Sequence, residues 1–315
     1  MFTGPRRSTY GLARLKALTR AGDLSLAYVL GVTRSNSTIA ARLVGRQLDG
    51  AVLEPAVPST AEPELHYEQT ILSAYEAARL RVGAGRPVAL VIKDISGFLT
   101  PAMEEFALGE SRAVLFTTRE PHRQHASLTN QFAHEFSPMQ RLDAIVRYPY
   151  EQLWFTVALA RFASHYMRVA REALAPHRLG VFRTAVLGFN LDAWQRQSGQ
   201  FDAIAGRDIP VEILDAGLMR AFPQLAEARL ENFAAATGVF RGLAEVETAA
   251  HSRMLARSRW AGEARTSIAI KPLMAEPDQN EVPDWLRLAA ATLKPHYDAL
   301  FNHPRHAMRS AVQGA

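Results

Sequence analysis

The residues best suited to chemistry form a short polar turn, Thr33-Arg34-Ser35-Asn36-Ser37-Thr38. It follows the apolar run SLAYVLGV at 25–32, after which Ile39, Leu43, Val44 and Leu48 recur at helical spacing. A turn between a buried strand and a helix start is a natural anion cradle. The first N–H groups of the helix lack intrahelical partners, and the helix dipole favours negative charge there. Ser35, Ser37 and Thr38 add hydroxyl donors, and Arg34 adds a fixed charge with fork geometry. The implied ligand is a phosphate or a sulfate. Ser and Thr also cap helices without any ligand, so the turn alone leaves both readings open. It departs from G-x-x-x-x-G-K-[ST], the pattern that cradles a triphosphate with Mg²⁺. Gly31 is present, but Asn36 stands at the second glycine and Ser37 at the lysine, which disfavours that ligand.

A second charged segment follows the run AVLFTT at 113–118. Arg119 comes directly after it, Pro121 suits the first turn of a helix, and Ser127 lies eight positions beyond Arg119. Both can face one anion; a surface arginine and a solvent-facing serine explain them equally. Glu54 closes the short run 51–53, and Lys93 and Asp94 close PVALVI at 87–92. A carboxylate so placed is a candidate general base. His122 and His125 have metal-ligand spacing, but no carboxylate completes a set, so no metal is expected. Both are expected to face solvent or join the anion patch.

These groups need a frame. Strands are expected at 25–32, 51–53, 87–92 and 113–118, with a fifth over 179–187. Helical patterns fill 38–48, 67–82, the stretch from Pro121, 149–174 and 285–302. The Pro-rich stretch 56–65 and the segments near 207–213 and 261–283 read as loops, and the chain from about 190 is mostly helical. In the 149–174 pattern Trp154, Phe155, Phe162, Tyr166 and Met167 read as core. Strands alternating with helices imply an α/β fold: a central, mostly parallel sheet flanked by helices in three layers. Ligands of such sheets sit at the carboxyl ends of the strands, where 33–38, 54, 93–94 and 119–127 all fall.

The turn at 33–38 resembles the 5′-phosphosulfate loop of sulfotransferases that use 3′-phosphoadenosine 5′-phosphosulfate (PAPS), of the form [KR]-[ST]-G-[ST]-T. Arg119-Glu120-Pro121 with Ser127 is similar to that P-loop family's 3′-phosphate motif, an Arg-[DN]-Pro start with Ser eight residues after the Arg. The resemblance spans roughly residues 25–190. Asn36 departs from the family's glycine and Glu120 from its Asp or Asn. The resemblance implies that Arg34 contacts the phosphosulfate, and that Ser35, Asn36, Ser37 and Thr38 hold the 5′-phosphate, mainly through backbone N–H groups. It implies that Arg119 and Ser127 bind the 3′-phosphate and that Lys93 donates to the leaving oxygen. Family members with a carboxylate base have a glutamate near the position of Glu54. Those with a histidine base carry it in Lys-Thr-His, where this chain reads Lys93-Asp94-Ile95. Glu54 is therefore the expected base, with Asp94 the second candidate. The implied activity is sulfuryl transfer from PAPS to a hydroxyl or amine of a small-molecule or carbohydrate acceptor, leaving PAP. The alternatives are a P-loop kinase or NTPase using Asp94 as its acid, and an inactive nucleotide-binding protein of the same fold. Arg253, Arg257 and Arg259 lie where the family has a late basic loop, but the motif does not match.

Composition sets outer limits. The 315 residues are expected to form a single domain, with 1–24 as an N-terminal extension or helix and about 190–315 as a helical part. The net charge of +5 comes from 36 basic against 31 acidic residues without a like-charge block, so a mixed surface rather than a nucleic-acid interface is expected. Cysteine is absent, which excludes disulfides, Cys-ligated zinc and a thiol nucleophile. That fits a reducing compartment, and a cytoplasmic location is expected. No apolar run reaches the ~18 residues of a membrane span. Residues 1–22 hold Arg6, Arg7, Arg14, Lys16 and Arg20 without an acidic residue. That composition resembles a transit peptide, but a surface helix before the first strand explains it as well and is preferred.

Overall fold

The run at 25–32 becomes β1 (Leu24–Gly31), a strand buried along its whole length. Burial on both sides requires a cover on each, and the side chains divide by parity. Leu24, Leu26, Tyr28 and Leu30 enter one core, while Ala27 and Val29 enter the other. The computed structural model describes residues 12–57, 62–135, 164–171, 180–237, 248–249, 282–306 and 308.

Beside β1 lie β2 (Ala51–Leu53), β3 (Val88–Ile95), β4 (Ala113–Thr118), β5 (Val211–Asp215) and the two-residue β6 (Thr248–Ala249). Their order is β5-β4-β1-β3-β2-β6, and every pair is parallel. Helices bounded within the described residues include α1 (Ala13–Arg20), α2 (Ser37–Gln47), α3 (Pro63–Val82), α4 (Pro101–Gly109), α5 (Pro121–Glu135), α6 (Val181–Ala205), α7 (Ala216–Ala221), α8 (Pro223–Ala235) and α9 (Asp284–Phe301), and residues 164–171 are helical as well. α2 and α8 cover one face of the sheet with Ala40, Val44, Leu230 and Phe233. α3, α4, α6 and α9 cover the other with Tyr67, Phe106, Trp194 and Leu293. The protein is thus an α/β fold with a parallel central sheet between helical layers. No described helix is long and apolar enough to cross a membrane.

Four expectations change. Residues 180–187 do not form a strand; Val181 begins the 25-residue helix α6, whose first residues are exposed and whose burial begins at Ala185, while Leu179 lies outside the described residues. The fifth strand is Val211–Asp215, within and just after the stretch read as a loop. Pro210 introduces it without costing a ladder bond, which suits a strand start. α3 begins at Pro63 rather than 67, because proline is well placed in a first helical turn. β3 does not stop before Lys93 but runs through Lys93 and Asp94 to Ile95, which sends those two side chains to opposite faces. The expected helix ahead of β1 is present as α1, and the final helix and β4 fall where the pattern put them.

The topology makes a crevice beside β1. The chain leaving β1 turns to α2 on one face, whereas the chain leaving β3 turns to α4 on the other. Adjacent strands whose connections diverge in this way open a cleft at their carboxyl ends, and the turn at 33–38 lies there.

Candidate functional site

The turn is shaped by close packing at Gly31. A Cβ there would lie within 2.6 Å of Ser35 Oγ and closer still to Thr117 Oγ1. The Ser35 hydroxyl donates to Val32 O at 2.7 Å and shares a 2.7 Å hydrogen bond with Thr117 Oγ1. It is fully buried, so this hydroxyl staples the turn to β4 and is not a ligand donor as expected; only the Ser35 backbone remains for that role. Arg34 and Asn36 both occupy the left-handed region, at φ 71° and 64°. Asparagine tolerates that conformation better than most L-residues, which explains how it stands where a glycine was expected. Asn36 is the N-cap of α2 but makes no side-chain capping bond. Ser37 opens the helix, and Ile39 and Ala40 donate to Asn36 O.

α5 grips this turn. Arg34 Nε donates to Ser127 Oγ at 2.9 Å, and Arg119 donates to Arg34 O at 3.2 Å. Gln124 Nε2 donates to Thr33 O at 2.7 Å. Glu120 caps α5 by accepting from Arg123 N at 3.1 Å, and it also pairs with His122. Glu120 thus serves the helix start locally. Arg119 is driven down to about pKa 10, first by burial and then by the charges of Arg34, Arg220 and Arg123, with Asp215 acting the other way. Four guanidinium groups from the turn, the β4 end, α5 and α7 thus share one field. Such a field favours an anion placed within it.

His125 does not face solvent. It is buried, and that burial lowers its pKa to about 4. Its Nδ1 lies 3.1 Å from Asn190 Nδ2, and its ring meets Trp285 edge-on. Gln124 and Asn190 exchange a pair of amide hydrogen bonds of 2.8 and 2.6 Å.

Glu54 and Lys93 form an ion pair at the ends of β2 and β3, and their side chains are only 14% and 3% exposed. Parity puts Lys93 on the face that also carries Val29 and Gly31 of β1. Glu54 has φ 55°, a conformation costly for a side chain with a Cβ, and its Oε2 is buried without a hydrogen-bond partner among the described residues.

Asp94 does not pair with Lys93. It points to the opposite face, where Ala56 N donates to Oδ1 at 3.1 Å and the Tyr67 hydroxyl, bonded to Tyr28 at 2.6 Å, lies beside it. Burial raises its pKa to about 8, against the lowering effects of Ala56 N, Lys93 and Tyr67. A raised carboxyl pKa means that the protonated form stabilises the fold. That contribution is complete below the ordinary value of 3.8 and is lost as pH rises through about 8. Wild-type stability should therefore fall between about pH 5 and 8 relative to Asp94→Asn, whose amide never ionises. Urea denaturation of both proteins across that range measures it; parallel curves would show that the carboxyl does not titrate there.

The structure brings Arg34, Arg119 and Ser127 together, and separately joins Glu54 to Lys93. Asn36 and Ser37 sit at the α2 start, and Thr38 lies in its first turn. Arg123, Gln124, Asn190 and Arg220 were not singled out from sequence. Two of them lie inside the 119–127 segment, on the face that Ser127 shares by helical spacing. Asn190 and Arg220 carry no local signal. Tyr166 is buried against Phe189, as a core residue should be. Trp154, Phe155, Phe162, Arg253, Arg257 and Arg259 lie outside the described residues. No group of three metal-ligating side chains occurs among the described residues. No protein-family model matches the chain, and no curated protein matches it.

Proposed function

We propose that this protein is a sulfotransferase that moves a sulfuryl group from PAPS to a hydroxyl or amine. The observation carrying this reading is the contact between two anion-binding segments far apart in sequence: Arg34 of the turn meets Ser127 of α5 while Arg119 holds the Arg34 carbonyl. One cluster at the carboxyl end of β1 and β4 then has donors for a 5′-phosphosulfate and for a 3′-phosphate. Sulfuryl transfer resembles phosphoryl transfer, in which catalysis is mostly positioning and charge neutralisation. The acceptor oxygen attacks sulfur in line, the bond from sulfur to the bridging oxygen breaks, and its electron pair leaves on the 5′-phosphate of PAP. Arg34 and Lys93 neutralise that oxygen. The acceptor proton passes to Glu54, whose Oε2 has hydrogen-bonding capacity left while Oε1 holds Lys93.

The kinase or NTPase reading loses its acid, since Asp94 is buried on the far face of the sheet from Lys93. Thermal unfolding with PAP, PAPS and Mg-ATP in parallel tests the choice. A ligand at 100 Kd adds about 2.7 kcal/mol to the folded state. Stabilisation by PAP and not by Mg-ATP is expected, and the reverse result would sink the proposal.

A further inference from the structure

Gln124, His125 and Asn190 are polar, and all three are buried. A buried amide left unpaired costs about 1–3 kcal/mol, so their hydrogen bonds can be audited group by group. Gln124 Nε2 has two hydrogens, which go to Thr33 O at 2.7 Å and Asn190 Oδ1 at 2.8 Å. Asn190 Nδ2 has two, which go to Gln124 Oε1 at 2.6 Å and His125 Nδ1 at 3.1 Å. No amide hydrogen is left over. Only one orientation of each amide satisfies this set, because flipping Gln124 would set its oxygen against the Thr33 oxygen. His125 Nδ1 must accept, which requires the neutral ring, and burial keeps it neutral.

The far end of this chain is the anion-binding turn. Thr33 C=O and Arg34 N–H lie on opposite edges of one trans peptide plane, so a donor on the oxygen fixes where the N–H points. The next carbonyl, Arg34 O, is held in the same way by Arg119. Two consecutive carbonyl oxygens that would repel an anion are thus tied toward the β4 end and α5. Their partner amides, Arg34 N–H and Ser35 N–H, are turned the opposite way, as in a backbone nest. The left-handed Arg34 needs such external restraint to persist.

We propose that Gln124 and Asn190 are positioning residues for the anion site. Asn190 fixes the orientation of the Gln124 amide, and Gln124 holds the Thr33–Arg34 peptide with its N–H toward the ligand. Asn190 reaches the turn only through Gln124. The inference rests on the anion-binding part of the sulfotransferase reading and not on the identity of the donor.

The test uses the full-length protein with Gln124→Met, Asn190→Leu and the double variant. Two quantities are read: PAP affinity by calorimetry, and amide hydrogen exchange of peptides covering 30–42 against peptides from β3. Each single variant should weaken PAP binding about tenfold and speed exchange in the turn by a similar factor, leaving β3 unchanged. Because the residues act in series, the double variant should lose no more than Gln124→Met. A general packing role would instead give additive losses and faster exchange throughout. Should either variant fail to fold, Gln124→Glu and Asn190→Ser replace them; Gln124→Glu keeps the shape and removes the donor. A folded Asn190 variant with wild-type exchange in the turn and wild-type PAP affinity overturns the proposal. If the wild-type protein itself ignores PAP, the donor reading falls, and exchange in the turn alone decides the positioning claim.

Discussion

On the proposed sulfuryl transfer with Glu54 as base, Glu54→Gln should lower turnover by about 10²–10⁴-fold, the usual loss when a general base is removed. Glutamine keeps the shape and can still adopt φ 55°, so the change is one of charge and proton affinity. It also leaves Lys93, 3% exposed, without its partner. Breaking a buried pair from one side costs about 3–5 kcal/mol, so the single variant should be less stable as well as slower. Stability and chemistry have to be separated. Glu54→Gln with Lys93→Met removes both charges, and such paired replacement is often neutral. That double variant should regain wild-type stability in urea while turnover stays low. Single-turnover assays on protein shown to be folded make the measurement. Near-full turnover in folded Glu54→Gln would remove Glu54 from the role of base.

How much of the fold was legible follows from how each element is buried. β1 and β4 are continuous apolar runs between polar turns, and a central parallel strand has to read that way. β5 did not stand out, because Val211, Ile213 and Leu214 are interrupted by Glu212 and preceded by Arg207 and Asp208, a composition shared by surface loops. The start of α6 was misread for a different reason. Its first residues are exposed, but every residue from Ala185 to Leu191 is buried, so the helical period is masked and a short window looks like a strand. Lys93 and Asp94 were legible as a strand end but not as two faces, since the terminus of β3 had been set too early.

The site divides along the same line. Arg34, Arg119 and Ser127 were visible because each lies in a short segment with a fixed relation to a strand end. Their mutual contacts were not, because nothing local says which face of α5 meets the turn. Ser35 was given a ligand-facing hydroxyl because sequence marks only that an oxygen is present. Its direction is decided by Thr117, 82 positions away. Asn190 and Arg220 come from elements that local pattern either misread or left unranked, so their approach to the turn is a property of the tertiary fold.

Arg119→Gln should separate binding from stability in opposite directions. In the wild-type protein Arg119 is half-buried beside Arg34, Arg123 and Arg220, with Asp215 acting the other way, and its pKa is pushed down to about 10. It stays charged near neutral pH, so the repulsion is present in the ligand-free fold. Removing one charge relieves that repulsion and forfeits one hydrogen bond to Arg34 O, a bond worth about 1 kcal/mol. The ligand-free variant should therefore match wild-type stability to within about 1 kcal/mol or exceed it, the pattern of a residue retained for function. PAP binding should behave differently. A bidentate, charge-assisted contact to a phosphate is worth about 1.5–3 kcal/mol, so PAP affinity should fall roughly 10–100-fold. Adenosine 5′-phosphate, which lacks the 3′-phosphate, should lose little. Calorimetric titration of both nucleotides gives the ratio directly. Equal losses for the two would mean that Arg119 serves the 5′ side or only the turn, and the 3′-phosphate assignment would have to be abandoned. A loss confined to PAP would tie the arginine cluster to the phosphate that distinguishes this donor from ATP.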